Sequence, residues 1–223
     1  MRLSTIQDCP PPQGHVHSFV SIFITYNLTF IYIIFYLYNI NIKEMDKRAK
    51  ELVGNNELLK FPMRYLPKML NKKDNKKQAK MLIKSKNLYK EGVYYNREKV
   101  ASFKNKKSPH IVNARKIYNV KNIAPTEELA KKTGCKLEVL NKIVRKGEGA
   151  YYSSGSRPNQ TPQSWGLARL ASALTSGKAA AVDYNIIRDG CDHKKKAFIL
   201  ANKARKKYNY GHAKAKKVAV KVR

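Results

Sequence analysis

The sequence predicts a mainly α-helical protein. We expect a small helical domain with a helix-turn-helix-like hairpin and a long Gly/Ser loop, preceded by a basic N-terminal arm and followed by a basic C-terminal tail. Helix-starting residues stand at Ser108-Pro109 and Thr126, and apolar residues recur at helical spacing after them. Gly134 and Gly177 stand where two of these patterns end, as is typical of helix C-termini.

Composition divides the 223 residues into four segments. Residues 1–44 are a leader unlike the rest, residues 45–107 a basic arm rich in Lys and Tyr, residues 108–210 the helical domain, and residues 211–223 a basic tail. Within the domain we expect helices over 165–175, 179–188 and 193–208, with Trp165 as a core anchor. Short strands near Tyr94–Tyr95 and Tyr151–Tyr152 could pair.

The leader has two interpretations. Phe19–Ile42 carries no charge and matches the roughly 20 apolar residues that cross a bilayer. Basic residues follow it, which predicts a single-pass anchor with the C-terminal region in the cytoplasm. Alternatively, the Phe, Ile, Tyr and Asn of this run are what AT-rich codons encode, and Met45 opens an ordinary protein start. Residues 1–44 would then be upstream DNA translated in frame.

The charge is the strongest functional signal. The chain has 46 Lys and Arg against 15 Asp and Glu, a net charge of +31. Self-repulsion of this size opposes folding, so a polyanionic partner is expected. Nucleic acid is the commonest polyanion, and counterion release makes such binding independent of sequence. An anionic membrane or an acidic protein would also satisfy the charge.

We predict that the backbone of DNA or RNA is bound at low sequence specificity. In the arm, lysines alternate with tyrosines, a pattern suited to phosphate contacts and base stacking. The predicted binding residues are Arg64, Lys72, Lys73, Lys76, Lys77, Lys104, Lys106, Lys107, Lys142, Arg145, Lys146, Arg157, Lys194, Lys195 and Lys196.

Residues 126–146 carry the hairpin signal. Thr126 is a suitable N-cap, Gly134 breaks the helix, and a second helix begins near Lys136. The second helix would carry Lys142 and Arg145, either to read a DNA groove or on a hairpin with a purely structural role.

The Gly- and Ser-rich stretch 147–166 is predicted to be mostly loop. Its backbone could cradle phosphate, although it matches neither a P-loop nor a nucleophile elbow. An unrecognised enzyme using Glu148 and Arg157 of this loop is the catalytic alternative. With scattered histidines and no paired acids, we expect no enzyme and no cofactor.

Three scattered cysteines, Cys9, Cys135 and Cys191, include no Cys-x-x-Cys pair. We therefore expect neither a disulfide framework nor a zinc site, and a reducing intracellular setting. Asp183, Asp189 and Asp192 are expected to form salt bridges and not to bind a metal ion.

Three stretches carry a resemblance: RYLPKMLNKKDNKKQ at 64–78, KSPHIVNARKIYNVK at 107–121, and a run over 146–191 that contains GAYYSSGSRPNQ. Over about residues 61–191 the chain resembles an uncharacterised domain family of large DNA viruses, found in giant viruses of algae and amoebae and in large tailed phages. The resemblance implies a viral origin and brings no known activity. For a viral nucleic-acid-binding protein we expect a location in the virion or the host cytoplasm.

Overall fold

A computed structural model describes residues 58–106 and 108–221, and within them the chain is mainly helical, as predicted. In chain order the elements are β1 (Leu58–Pro62), α1 (Lys72–Lys90), α2 (Pro109–Tyr118), α3 (Glu127–Thr133), α4 (Leu137–Ser153), α5 (Pro162–Leu174), α6 (Lys178–Val182), α7 (Tyr184–Gly190), α8 (Lys196–Lys207), a 3₁₀ turn (Asn209–Gly211) and β2 (Lys217–Lys221).

Local capping signals place several of these helices where the sequence predicts them. The Thr126 hydroxyl accepts a hydrogen bond from the Leu129 backbone N–H at 3.3 Å, so it caps α3. Gly134 ends α3 with a φ of +71°, a conformation that costs glycine little. Pro109 occupies the first turn of α2, where its missing N–H is not needed.

The predicted loop over 147–166 is wrong for most of its length. Helix α4 continues to Ser153 and α5 begins at Pro162, so the loop is residues 154–161. Two of its glycines, Gly147 and Gly166, serve helix packing instead: a Cβ on Gly147 would lie 2.6 Å from the Gly166 Cα. Close approach of α4 and α5 therefore needs glycine on both helices. Such a crossing depends on a partner segment, which local composition cannot reveal.

The single helix predicted over 179–188 is two helices, α6 and α7, that meet at Asp183. The Asp183 carboxylate is fully buried and accepts from the Arg169 guanidinium at 2.7 and 2.8 Å. Helix α8 begins at Lys196, later than the predicted 193, because the Asp192 carboxylate accepts from the Lys194 backbone N–H in a turn.

The C-terminal segment, which the sequence predicts as a basic tail, contains a strand. Within it, β2 pairs antiparallel with β1, with Leu58 opposite Lys221 and Pro62 opposite Lys217. Val218 packs against the core that the arm contributes. By contrast, the strand pairing expected near 94–95 and 151–152 is absent from the described residues, since Tyr151 and Tyr152 are helical.

Two apolar cores organise the described chain. The larger is built by α2–α8 around α4 and α5, with Leu140, Ile143, Leu170 and Leu174 all fully buried. The smaller core consists of arm residues with β2 and Trp165, so the described part of the arm is folded. Its members are Tyr65, Leu66, Leu70, Ala79, Met81, Leu82 and Val100. Trp165 packs against this core, edge-on to the Tyr65 ring.

The expectation of no disulfide is also wrong, because Cys135 and Cys191 are bonded, with an S–S distance of 2.01 Å. Each cysteine follows a helix that ends in glycine, and the two segments meet as a short antiparallel bridge. The Asp192 N–H donates to the Gly134 carbonyl at 2.7 Å, and the Lys136 N–H donates to the Gly190 carbonyl at 2.9 Å. Because the cysteines are 56 residues apart, no local sequence pattern indicates that they pair.

The predicted membrane segment 19–42 and the alternative start Met45 lie outside the described residues. Among the helices of 58–106 and 108–221, none is both long and apolar enough to cross a membrane.

Candidate functional site

One group of predicted binding residues lies around the N-terminus of α1. Lys72, Lys73 and Lys76 are exposed in its first two turns. The Asn71 side chain caps the helix by accepting from the Asp74 backbone N–H at 2.7 Å. The positive end of the helix dipole lies here, so lysines at this end lower helix stability. The same combination of dipole and cations attracts anions.

Hydrogen bonds to Asp74 hold a second basic segment, residues 102–106, against this end of α1. Its buried carboxylate accepts from the Ser102 backbone N–H at 2.7 Å and from the Ser102 hydroxyl at 2.6 Å. These hydrogen bonds lower the pKa of Asp74. Lys104 and Lys106 follow Ser102 and are exposed. We call Lys72, Lys73, Lys76, Lys104 and Lys106 the α1 basic cluster; Lys107 lies outside the described residues.

The 154–161 loop is bonded to the same segment through Asn159. Its amide accepts from the Val100 N–H at 2.7 Å and donates to the Val100 and Phe103 carbonyls at 2.9 and 2.7 Å. Arg157 is exposed two residues before Asn159. The loop is therefore an ordered connector that carries one exposed residue of the predicted binding set.

Arg97 is a central residue that sequence reasoning missed. Its guanidinium lies 3.6 Å from the centre of the Tyr151 ring and donates to the Ser85 and Ser156 hydroxyls at 2.9 and 2.8 Å. It also donates to the Tyr151 carbonyl at 2.9 Å. Burial lowers the pKa of Arg97. Arg97 thus ties α1, α4 and the loop together, and no sequence signal separates it from the other arm cations.

Two predicted binding residues are paired with acids. The Lys77 ammonium lies 2.7 Å from the Glu98 carboxylate, and the Lys146 ammonium lies 2.8 Å from the buried Asp183 carboxylate. Lys142 and Arg145, also on α4, are exposed and have no ion pair among the described residues. Of the predicted binding residues on α4, these two are available to a ligand.

A second exposed group stands at the N-terminus of α8 and consists of Lys194, Lys195 and Lys196, which we call the α8 basic cluster. Lys195 is the N-cap, and its side chain makes no capping hydrogen bond. Its aliphatic stem packs on Gly134, where a Cβ would lie 2.5 Å from the Lys195 Cγ. The cluster therefore adjoins the turn between α3 and α4.

Three tyrosines line a cavity of about 620 Å³ between the end of α1, α4 and the start of α5. Tyr94 is 68% exposed and sits edge-on to the rings of Tyr89 and Tyr152, at centroid distances of 5.9 and 5.0 Å. The other lining residues are Asn96, Arg145, Glu148, Gly149, Thr161, Pro162 and Gln163. We call this cavity the tyrosine pocket. The sequence shows the tyrosines but not their convergence, because they come from separate segments.

The acids expected to form salt bridges do so or cap turns. Asp183 binds Arg169 and Lys146, Asp189 binds Arg188 at 2.7 Å, and the Asp192 carboxylate accepts from a backbone N–H. Within the described part of the chain, no group of three His, Cys, Asp or Glu side chains could hold a metal ion.

The sequence profile of a family of unknown function, DUF5824, matches residues 62–196. This match includes α1–α7, the α1 basic cluster, the tyrosine pocket and the α8 basic cluster. A search of curated proteins found no match, and a search of solved structures found none.

Proposed function

Since the chain belongs to DUF5824, a family of unknown function, its role has to be inferred from its own surface, and we propose that it binds nucleic acid backbone with low sequence specificity. The partner is DNA or RNA, held through its phosphates. The proposal includes no catalytic step, no metal and no cofactor.

The observation that carries the proposal is the position of exposed lysines at two helix N-termini. Lys72, Lys73 and Lys76 surround the start of α1, and Lys194–Lys196 surround the start of α8. Folding alone disfavours cations there, because the helix dipole repels them. A bound phosphate reverses that effect, since it accepts from free backbone N–H groups and pairs with the lysines.

Exposure and pairing support the same conclusion. All the predicted binding residues that the structure describes are exposed except Lys77, which is half-buried. Within the described residues, only Lys77 and Lys146 of that set form ion pairs with acids. The others form no ion pair with an acid in this part of the chain, so their charged groups can contact phosphate.

The resemblance to proteins of large DNA viruses suggests a narrower role. We propose that the protein is viral and associates with the genome, as a virion component or in the host cytoplasm. Groove reading by α3 and α4 is a further refinement, since exposed Lys142 and Arg145 stand on α4. That refinement predicts a sequence preference, whereas backbone contacts alone predict none.

The test is binding of the full-length protein to random double-stranded DNA, single-stranded DNA and RNA over about 50–300 mM salt. We expect affinity to fall linearly with salt on logarithmic axes, with a steep slope. Failure to bind any of the three at the lowest salt would contradict the proposal.

A charge-matched pair of variants localises the site. Changing Lys72, Lys73 and Lys76 to Ala is expected to weaken binding to all sequences alike and to reduce the salt slope by roughly one for each phosphate that these lysines neutralise. The control replaces Lys203, Lys206 and Lys207 of α8, which removes the same charge from outside the predicted set. Equal losses in both variants would show that only net charge matters.

A further inference from the structure

The tyrosine pocket has the size and lining of a ligand site that the basic clusters do not explain. Its volume of about 620 Å³ falls within the range of small-molecule pockets, roughly 300–1,000 Å³. Its aromatic part is the three tyrosine rings, and Tyr89 and Tyr152 are parallel within 5°. Gly149 lines the pocket without a side chain, and a Cβ there would lie 3.4 Å from the Tyr89 hydroxyl.

The polar groups of the pocket are available to a ligand. Among the described residues, Arg145, Glu148 and Gln163 form no hydrogen bond or ion pair. The Asn96 side-chain oxygen Oδ1 accepts from the Tyr152 hydroxyl at 3.2 Å, which leaves the side-chain NH₂ group to donate to a ligand. The pocket therefore offers one cation, one carboxylate acceptor and two amides around an aromatic surface, a set that matches the edge of a nucleobase.

The pocket adjoins two exposed cations of α4, Arg145 and Lys142. Lys142, Arg145, Gly149 and Tyr152 recur at helical spacing, so they follow one face of α4. Arg145 lines the pocket and Lys142 stands one turn beyond it, toward the N-terminus of α4. A nucleic acid strand along this face would place a phosphate on Lys142 while one base reaches Arg145 and the tyrosines.

We infer that the tyrosine pocket receives an unpaired nucleobase, so that the protein prefers single-stranded to double-stranded nucleic acid. The inference rests on the proposed function, since the predicted binding residues supply the backbone contacts. Bases in a duplex are stacked and paired, so taking one out of the duplex is unfavourable, whereas the bases of a single strand are already unpaired. Aromatic stacking tolerates every base, which agrees with low sequence specificity.

The experiment compares a single strand and a duplex of equal length, at the same salt, with wild-type protein and with Tyr94→Ala. Because stacking of one base is worth about 1–3 kcal/mol, we expect Tyr94→Ala to weaken single-strand binding about tenfold and to leave duplex binding unchanged. Tyr94→Phe keeps the ring and should keep the affinity. Tyr210→Ala removes another exposed tyrosine, 56% exposed and outside the pocket, and serves as the control.

A fluorescent adenine analogue placed in single-stranded DNA and in single-stranded RNA gives a second readout with wild-type protein. Stacking on the tyrosines should change its emission, and the change should be lost in Tyr94→Ala but not in Tyr210→Ala. This measurement tests the inference even if Tyr94→Ala loses stability.

The outcomes separate the inference from the proposed function. Equal affinity for single strand and duplex, a steep salt slope and no change of emission would overturn the inference and leave the function standing. Absence of binding to both forms at low salt, or displacement of oligonucleotide by polyglutamate of equal charge at equal concentration, would overturn the function as well.

Discussion

The helical bundle of α2–α8 and the basic layer of residues 58–106 are stabilised in different ways. The bundle has a disulfide, the fully buried Asp183 ion pair, the glycine crossing of α4 and α5, and a larger apolar core. Helix α3 also carries Glu127 and Glu128 in its first turn, where they favour the helix dipole. The basic layer has a small core and side-chain hydrogen bonds to the bundle's loop.

The start of α1 shows the contrast most clearly. Its first turns hold Lys72, Lys73, Lys76 and Lys77 with one acid, Asp74, whereas α3 follows the arrangement that stabilises a helix. Charges in the first turn of α3 therefore stabilise the bundle, whereas the lysines at the start of α1 lower helix stability and increase the positive charge of the layer's surface. Four predictions test this difference.

The disulfide should give the largest effect. Replacing Cys135 and Cys191 with Ala removes a crosslink that closes a 56-residue separation. Chain-entropy estimates put the loss of unfolding free energy at about 4 kcal/mol. Urea unfolding of the wild type with and without reductant should show the same loss. Identical midpoints in the two conditions would mean that the crosslink contributes nothing to the bundle.

Removal of the buried Asp183 carboxylate should cause the second-largest loss of stability. Asp183→Asn leaves Arg169, whose side chain is 19% exposed, without its counter-charge, and we expect a loss of about 3 kcal/mol. The control is Asp189→Asn, which breaks the exposed pair with Arg188 and should leave the unfolding midpoint unchanged. Equal effects of the two variants would contradict the burial argument.

The third-largest loss of stability is expected where α4 and α5 cross at Gly147 and Gly166. A Cβ at Gly147 would lie 2.6 Å from backbone of α5, so Gly147→Ala should cost about 2 kcal/mol through forced separation of the helices. Gly149→Ala, half a turn away, meets only the Tyr89 hydroxyl at 3.4 Å. It should be neutral or stabilise α4 by up to about 1 kcal/mol, since alanine is the better helix former. Thermal melts of both variants compare the two positions directly.

The smallest effect should have the opposite sign. Lys72→Gln with Lys73→Gln removes two cations from the α1 N-terminus and should raise the unfolding free energy by about 0.5 kcal/mol at low salt, while nucleic-acid affinity falls. Lys90→Gln is a single-charge control and should not raise stability, because Lys90 lies in the last turn, where a cation is favourable. A lower unfolding free energy in the Lys72 and Lys73 variant would contradict the proposal that these lysines favour binding at the expense of folding stability.

Features with local causes could be predicted from the sequence. Thr126, Gly134 and Pro109 act within one turn of themselves, so α2 and α3 begin or end where the sequence predicts.

Features that depend on distant segments could not be predicted. The sequence predicts a loop at Gly147, and only the contact with Gly166 explains a glycine inside a helix there. Likewise, the sequence predicts a continuous helix through Asp183, because the ion pair with Arg169 involves a residue of another helix. The Cys135–Cys191 pair and the tyrosine pocket likewise join segments far apart in the chain. Of the candidate site, residue type and exposure were predictable for the lysines, whereas their pairing with Glu98 or Asp183 was not.

The β1–β2 ribbon has a mechanical consequence. Leu58 and Lys221 stand opposite each other at one end of an antiparallel pair, and Pro62 and Lys217 at the other. Tension applied outward through Leu58 and Lys221 would load the ribbon's hydrogen bonds one after another, as a zipper opens, and not all together in shear. The ribbon should thus yield at low force, and the crosslinked helices behind it should yield only at higher force.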